Sequence, residues 1–144
     1  MGERVEGFTS LITKISRNIR KIKNEEMAEY HLRSAHVSCL YYLYTEASLT
    51  ATELAEKCEE DKATISRAIE YLEKNGFVVP HQKNTKRYKT PLLLTEKGRE
   101  AGQKIATKND QAIAELDTLL PKEDLDNFYR TLSAISDILD AFGK

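Results

Sequence analysis

The sequence predicts a mainly α fold with one small β hairpin, and three observations carry the prediction. Apolar residues recur at alternating steps of three and four along most of the 144-residue chain. Midway, two short helical patterns follow one another, each opened by a capping residue and separated by a few polar positions. Directly after them, two brief apolar runs flank a basic connection, which is how a hairpin is written.

Taken in order, Phe8, Ile12, Ile15, Ile19 and Ile22 form the first amphipathic stripe, with Arg17, Arg20 and Lys21 on other faces. Residues 24–33 are polar and end it. Ser34 can cap a second helix whose apolar side includes Val37, Leu40 and Leu43. Thr50 with Glu53 three residues later is a capping box, so a short helix starts there and runs through Lys57. Asp61 caps the next, which reaches Asn75 and stops at Gly76, the residue best able to take a left-handed terminal conformation. Phe77–Val79 and Leu92–Leu94 read as paired strands, with Pro80 and Pro91 at their ends because proline cannot donate to a ladder. Thr95 caps a long helix interrupted by Pro121. The last segment sets Leu125, Phe128, Leu132, Ile135, Leu139 and Phe142 on a heptad seam.

Composition narrows the function classes. Lysine and arginine number 22 against 23 acids, a net charge of -1, so bulk charge alone would not hold the chain on a polyanion. Any such affinity must come from a local patch. No apolar run approaches the roughly 20 residues of a membrane span, and the opening residues lead into no signal-peptide segment, so a cytoplasmic, soluble protein without membrane contact is expected. Two cysteines give no metal spacing and no disulfide framework. The sequence offers no glycine-rich phosphate loop and no nucleophile motif, and neither catalytic residues, metal nor cofactor are expected.

The middle of the chain carries the functional signal. Leu54, Ala55, Ile65, Ile69 and Leu72 are spaced to lock two helices under a turn, as a helix-turn-helix requires. That packing turns Thr64 and Arg67 outward, flanked by Lys62 and Ser66. Arginine can pair bidentately with guanine, serine and threonine accept several partners, and a helix N-terminus favours phosphate. The connection His81–Lys89 holds four cations, Lys83, Lys86, Arg87 and Lys89, and no acid, a composition suited to phosphates or a minor groove. With Thr50 and Thr52 on the preceding helix, these residues are the candidate contacts to double-stranded DNA.

The strings Leu49–Lys57, Asp61–Arg67, Leu72–Val78 and Leu94–Gly98 resemble MarR-type winged helix-turn-helix transcriptional regulators. The resemblance implies a winged lobe at 34–95 within a single domain 1–144, and helical regions at 5–23 and 96–142 that pair two copies into a homodimer on a pseudo-palindromic operator. It further implies that Thr64, Ser66 and Arg67 contact bases or phosphates, that Arg87 is the wing contact, and that a small aromatic ligand releases a repressor from DNA. His36, Tyr41 and Tyr44 are the candidate ligand contacts, since tyrosine offers a flat apolar face with a polar tip. Glu59 and Glu60 stand where the family commonly has a turn glycine and an aliphatic residue.

Two further readings remain open. Cys39 could be a redox-sensing thiol, with His36 one helical turn away; Cys58 is expected as a small buried residue under the turn. The acids Glu59 and Glu60, with the acidic last helix, fit a winged-helix module that binds another protein, in the manner of an anti-repressor.

Overall fold

The computed structural model describes residues 2–25, 27–82, 86 and 89–143, with no side-chain detail at 2–6 and 29. Six helices form among the described residues: α1 (Gly2–Asn24), α2 (Ser34–Thr45), α3 (Ala51–Cys58), α4 (Lys62–Lys74), α5 (Glu96–Leu119) and α6 (Lys122–Phe142). The chain divides into two compact units, 1–109 and 110–144. None of the described helices is long and apolar enough to cross a membrane.

In the first unit α2, α3 and α4 enclose the core. Leu40, Leu54, Ile65, Ile69, Leu72 and Phe77 are each at most 1% exposed, and full burial of one such side chain stabilises by about 1.5–3 kcal/mol. Local chemistry sets the helix ends. Thr50 Oγ1 accepts from the Glu53 amide at 3.3 Å, and Glu53 Oε1 accepts from the Thr50 amide at 3.0 Å, so the expected capping box is complete. Asp61 Oδ1 accepts from the Thr64 amide at 2.7 Å and opens α4. Gly76 closes α4 with φ +80.

The second helix departs from expectation. Ser34 is its first helical residue, not its cap: Arg33 is extended, and its amide donates to His36 Nδ1 at 3.0 Å. An imidazole three residues on replaces the expected serine hydroxyl. The polar segment before it is not a simple spacer either, because a short 3-10 turn at Ala28–Tyr30 buries Met27 and Leu32 in the core.

The hairpin is also reduced. Among the described residues no strand forms; Val78 and Leu94 make one antiparallel bridge, and the Val79 amide donates to the Leu93 carbonyl at 2.8 Å. Pro80 and Pro91 each remove a donor that would extend the ladder. The return arm is held from its other side, since the Leu92 amide donates to the Leu49 carbonyl at 2.8 Å.

Thr95 joins the hairpin to α5. Its hydroxyl donates to the Gly76 carbonyl at 2.6 Å and accepts from the Gly98 amide at 3.1 Å. Close approach then demands glycine at 98, because a Cβ there would collide with the Phe77 carbonyl oxygen and lie 2.9 Å from its carbon. Gly98→Ala should therefore destabilise by about 2 kcal/mol in urea unfolding, an overpacking cost of roughly 3 kcal/mol offset by about 1 kcal/mol of helix propensity. Unchanged or raised stability would show that the carbonyl moves aside freely.

In the second unit α6 follows Pro121, and Leu125 is its buried anchor. Much of the heptad seam is open: Phe128, Leu139 and Phe142 are 48%, 54% and 89% exposed. In the first unit, Phe8, Leu11, Ile12 and Ile15 of α1 are likewise exposed.

Candidate nucleic-acid interface

The exposed face of α4 is built by what its other face buries. Ile65, Ala68, Ile69 and Leu72 point into the core, which turns Lys62, Ala63 and Arg67 to solvent and leaves Thr64 and Ser66 half-exposed. Arg67 Nη2 donates to Thr64 Oγ1 at 3.4 Å, so the guanidinium is held along the first turns of the helix. Thr50 and Thr52, at the start of α3, are half-exposed; the Thr50 hydroxyl is already an acceptor in the capping box.

The carboxylates that cap these helices are tuned to stay ionised. Hydrogen bonds from Thr50 hold the Glu53 carboxyl below its ordinary value, and hydrogen bonds from Thr64 do the same for Asp61, helped by the Arg67 charge. With pKa depressed in the fold, each contribution is present above the unfolded value and is lost as pH falls through the folded one.

The turn between α3 and α4 carries its charge in an unusual conformation. Glu59 sits in the left-handed region at φ 54, ψ 42, where a side chain costs roughly 1–2 kcal/mol that glycine avoids. The turn holds it there because the Glu59 amide donates to Glu56 and the Glu60 amide to Ala55. Both glutamates are exposed at the foot of α4.

Of the basic hairpin, Lys86 and Lys89 are exposed; Lys83 and Arg87 lie outside the described residues.

The three candidate ligand contacts separate. His36 stacks on Tyr71 with centroids 4.2 Å apart and planes 18° from parallel, and its pKa is lowered by burial first and by Arg33 second. It lines an open cleft of about 540 Å³ with Ala28, His31, Leu32, Arg33 and Tyr71, and neither Tyr41 nor Tyr44 reaches that cleft. Tyr41 instead lies under the Lys23 ammonium, 3.9 Å from its ring centroid, and against Tyr42. Tyr44 packs over α5, where a Cβ on Gly102 would come within 2.6 Å of the Tyr44 Cβ.

Cys39 is buried, and its neighbour is a group that the sequence did not suggest. Cys58, half-buried rather than enclosed, pushes the Cys39 thiol up from its ordinary value, and burial adds to the shift. No spacing rule links the two positions; only the packing of α2 on α3 does. Among the described residues there is no cluster of side chains fit to hold a metal ion.

Comparison with known proteins agrees with this geometry. A family model described as MarR family matches residues 32–85, from the start of α2 into the hairpin. The HTH-type transcriptional regulator YwoH of Bacillus subtilis is 34% identical over 85 residues, 59% of this chain and 62% of the relative. The chain thus spans about three fifths of the length of the curated relatives it matches. A MarR family protein from Bacillus stearothermophilus superposes with a TM-score of 0.74 at 21% identity, covering 97% of this chain and 98% of that one. A MarR family transcriptional regulator from Listeria monocytogenes, solved in complex with a 26mer DNA, gives 0.76 at 25% identity over 91% of this chain and 87% of its own.

Proposed function

We propose that this chain, whose residues 32–85 match the MarR family model, is a cytoplasmic, homodimeric, sequence-specific DNA-binding transcriptional regulator of that kind. The observation that carries the reading is the α4 surface: Lys62, Thr64, Ser66 and Arg67 displayed on a helix whose opposite face is fixed in the core. Small hydroxyl side chains let such a helix approach base edges, and Arg67 supplies the bidentate donor. Thr50, Thr52, Lys83, Lys86, Arg87 and Lys89 complete the contact set from the preceding helix and the wing. The role is binding, and no residue is assigned a catalytic one.

Dimerisation by the terminal helices is supported by the exposed apolar stripes of α1 and of α6, each more than a soluble monomer commonly leaves in water. Two copies would present two α4 helices to a pseudo-palindromic operator. The regulator acts as a repressor, and a small aromatic ligand releases it; His36, in the cleft beside Tyr71, is the contact best placed to meet one.

The test is a titration of genomic fragments selected by the purified protein. Arg67→Ala should weaken binding by about 1–3 kcal/mol, with the loss concentrated at one position in each half-site. Equal loss on every sequence would make Arg67 a phosphate contact, and no loss at all would remove α4 from the interface.

A further inference from the structure

The connection between α1 and α2 is fastened to α4. His31 takes the left-handed conformation at φ 59, and its carbonyl accepts from the Tyr71 hydroxyl at 2.9 Å. Two residues on, Arg33 is extended and its amide donates to His36 Nδ1 at 3.0 Å, while the His36 ring is stacked on the Tyr71 ring with centroids 4.2 Å apart. One tyrosine of α4 thus fixes the chain on both sides of the buried Leu32. Burial first, and the Arg33 charge second, hold the His36 pKa below its ordinary value. The ring therefore stays neutral, keeps Nδ1 as the acceptor for the Arg33 amide and has Nε2–H as its remaining donor. Arg33 itself is exposed on this anchored backbone.

Tyr71 also sets this connection against the displayed face of α4. Thr64, Arg67 and Tyr71 follow at steps of three and four, which is one strip of a helix, and Arg67 already reaches Thr64 along it. Tyr71 comes about one turn, roughly 5.4 Å, beyond Arg67. The cleft on its flank is lined by Ala28, His31, Leu32, Arg33 and His36, so it holds a guanidinium and two imidazoles and no carboxylate. The chain as a whole has more acids than lysines and arginines, which makes an acid-free hollow beside the α4 strip a local feature of charge.

We propose that Arg33, at the rim of this cleft, is a further DNA contact that takes a backbone phosphate beside the stretch faced by α4. The inference rests on the DNA-binding reading above. A guanidinium matches a phosphate with two parallel donors. Its backbone is bonded to Tyr71 and His36, so Arg33 travels with α4 and loses less freedom on binding than an arginine on a free loop. Tyr71 and His36 act as positioning residues, through Arg33. A backbone contact fixes register and adds affinity without reading sequence.

Anisotropy titrations of the wild-type chain and its variants on the selected genomic fragments, repeated across salt concentrations, test the assignment. Arg33→Ala should lower the slope of log K against log salt by about 1.8, or about 0.9 for each of two copies on the operator. It should also weaken a matched and a mismatched fragment by the same factor. Arg33→Lys keeps the charge and should restore the slope. Tyr71→Phe keeps the stacked ring but removes the bond to His31; it should weaken the wild-type chain and cause no further loss once Arg33 is alanine, a coupling that general damage to the fold would not show. A slope unchanged by Arg33→Ala, a loss confined to one base pair, or fully additive losses from Arg33→Ala and Tyr71→Phe overturns the proposal and leaves the regulatory reading standing. A wild-type chain that binds none of its fragments, or binds them without dependence on salt, overturns that reading and the Arg33 contact with it.

Discussion

Phe77→Ala should lower the stability of the chain by about 3–5 kcal/mol, the range found when a buried aromatic ring is deleted and its cavity only partly collapses. Phe77 is 1% exposed. Its ring stands edge-on to Tyr30 at 6.3 Å, with the Lys97 ammonium 4.4 Å from its centroid. Its amide donates to the Leu72 carbonyl at 2.8 Å and its own carbonyl accepts from Thr95 at 3.0 Å, so the backbone cannot follow the missing ring inward. Natural domains hold roughly 5–15 kcal/mol in all, so this one change removes a large share. Urea unfolding is the measurement: the midpoint should fall with little change in slope. A loss below about 1 kcal/mol would mean that the site repacks, contrary to the restraints on its backbone.

Operator affinity should collapse with salt although the chain is nearly neutral. On the proposed reading the contact set of each subunit includes six cations, Lys62, Arg67, Lys83, Lys86, Arg87 and Lys89, so a dimer that engaged half of them would neutralise about six phosphates. Log K should then fall by about 0.9 per contact per decade of salt, close to 10³-fold between roughly 50 and 200 mM. Fluorescence anisotropy with a labelled fragment reads the slope directly. A flat response would turn attention to Glu59, Glu60 and the acidic α6, and to a protein partner in place of DNA.

How far the sequence reaches depends on the range of the interaction. The caps at Thr50, Asp61 and Thr95 and the stop at Gly76 bond within three or four residues, and each stands as read. The outward face of α4 was legible for the same reason, because its periodicity names the buried side. Met27 and Leu32 were not, since a short turn in a polar segment carries no apolar period, and only the fold reveals that they fill the core. Arg33 displaced Ser34 as cap because an imidazole accepted the free amide first. The hairpin was expected as two paired strands, but among the described residues only the single Val78–Leu94 bridge forms, with Pro80 and Pro91 each removing a donor beside it.

The Thr95 hydroxyl, bonded at once to the end of α4 and the start of α5, makes a transmission of what would otherwise be a simple connection. With Lys97 Nζ also donating to the Asn75 carbonyl at 3.0 Å, the two helix ends are clamped as one pivot. Whatever tilts the first turns of α5 must swing α4 with it, so α4 is steered from its far end, remote from Lys62 to Arg67, the residues proposed to read DNA.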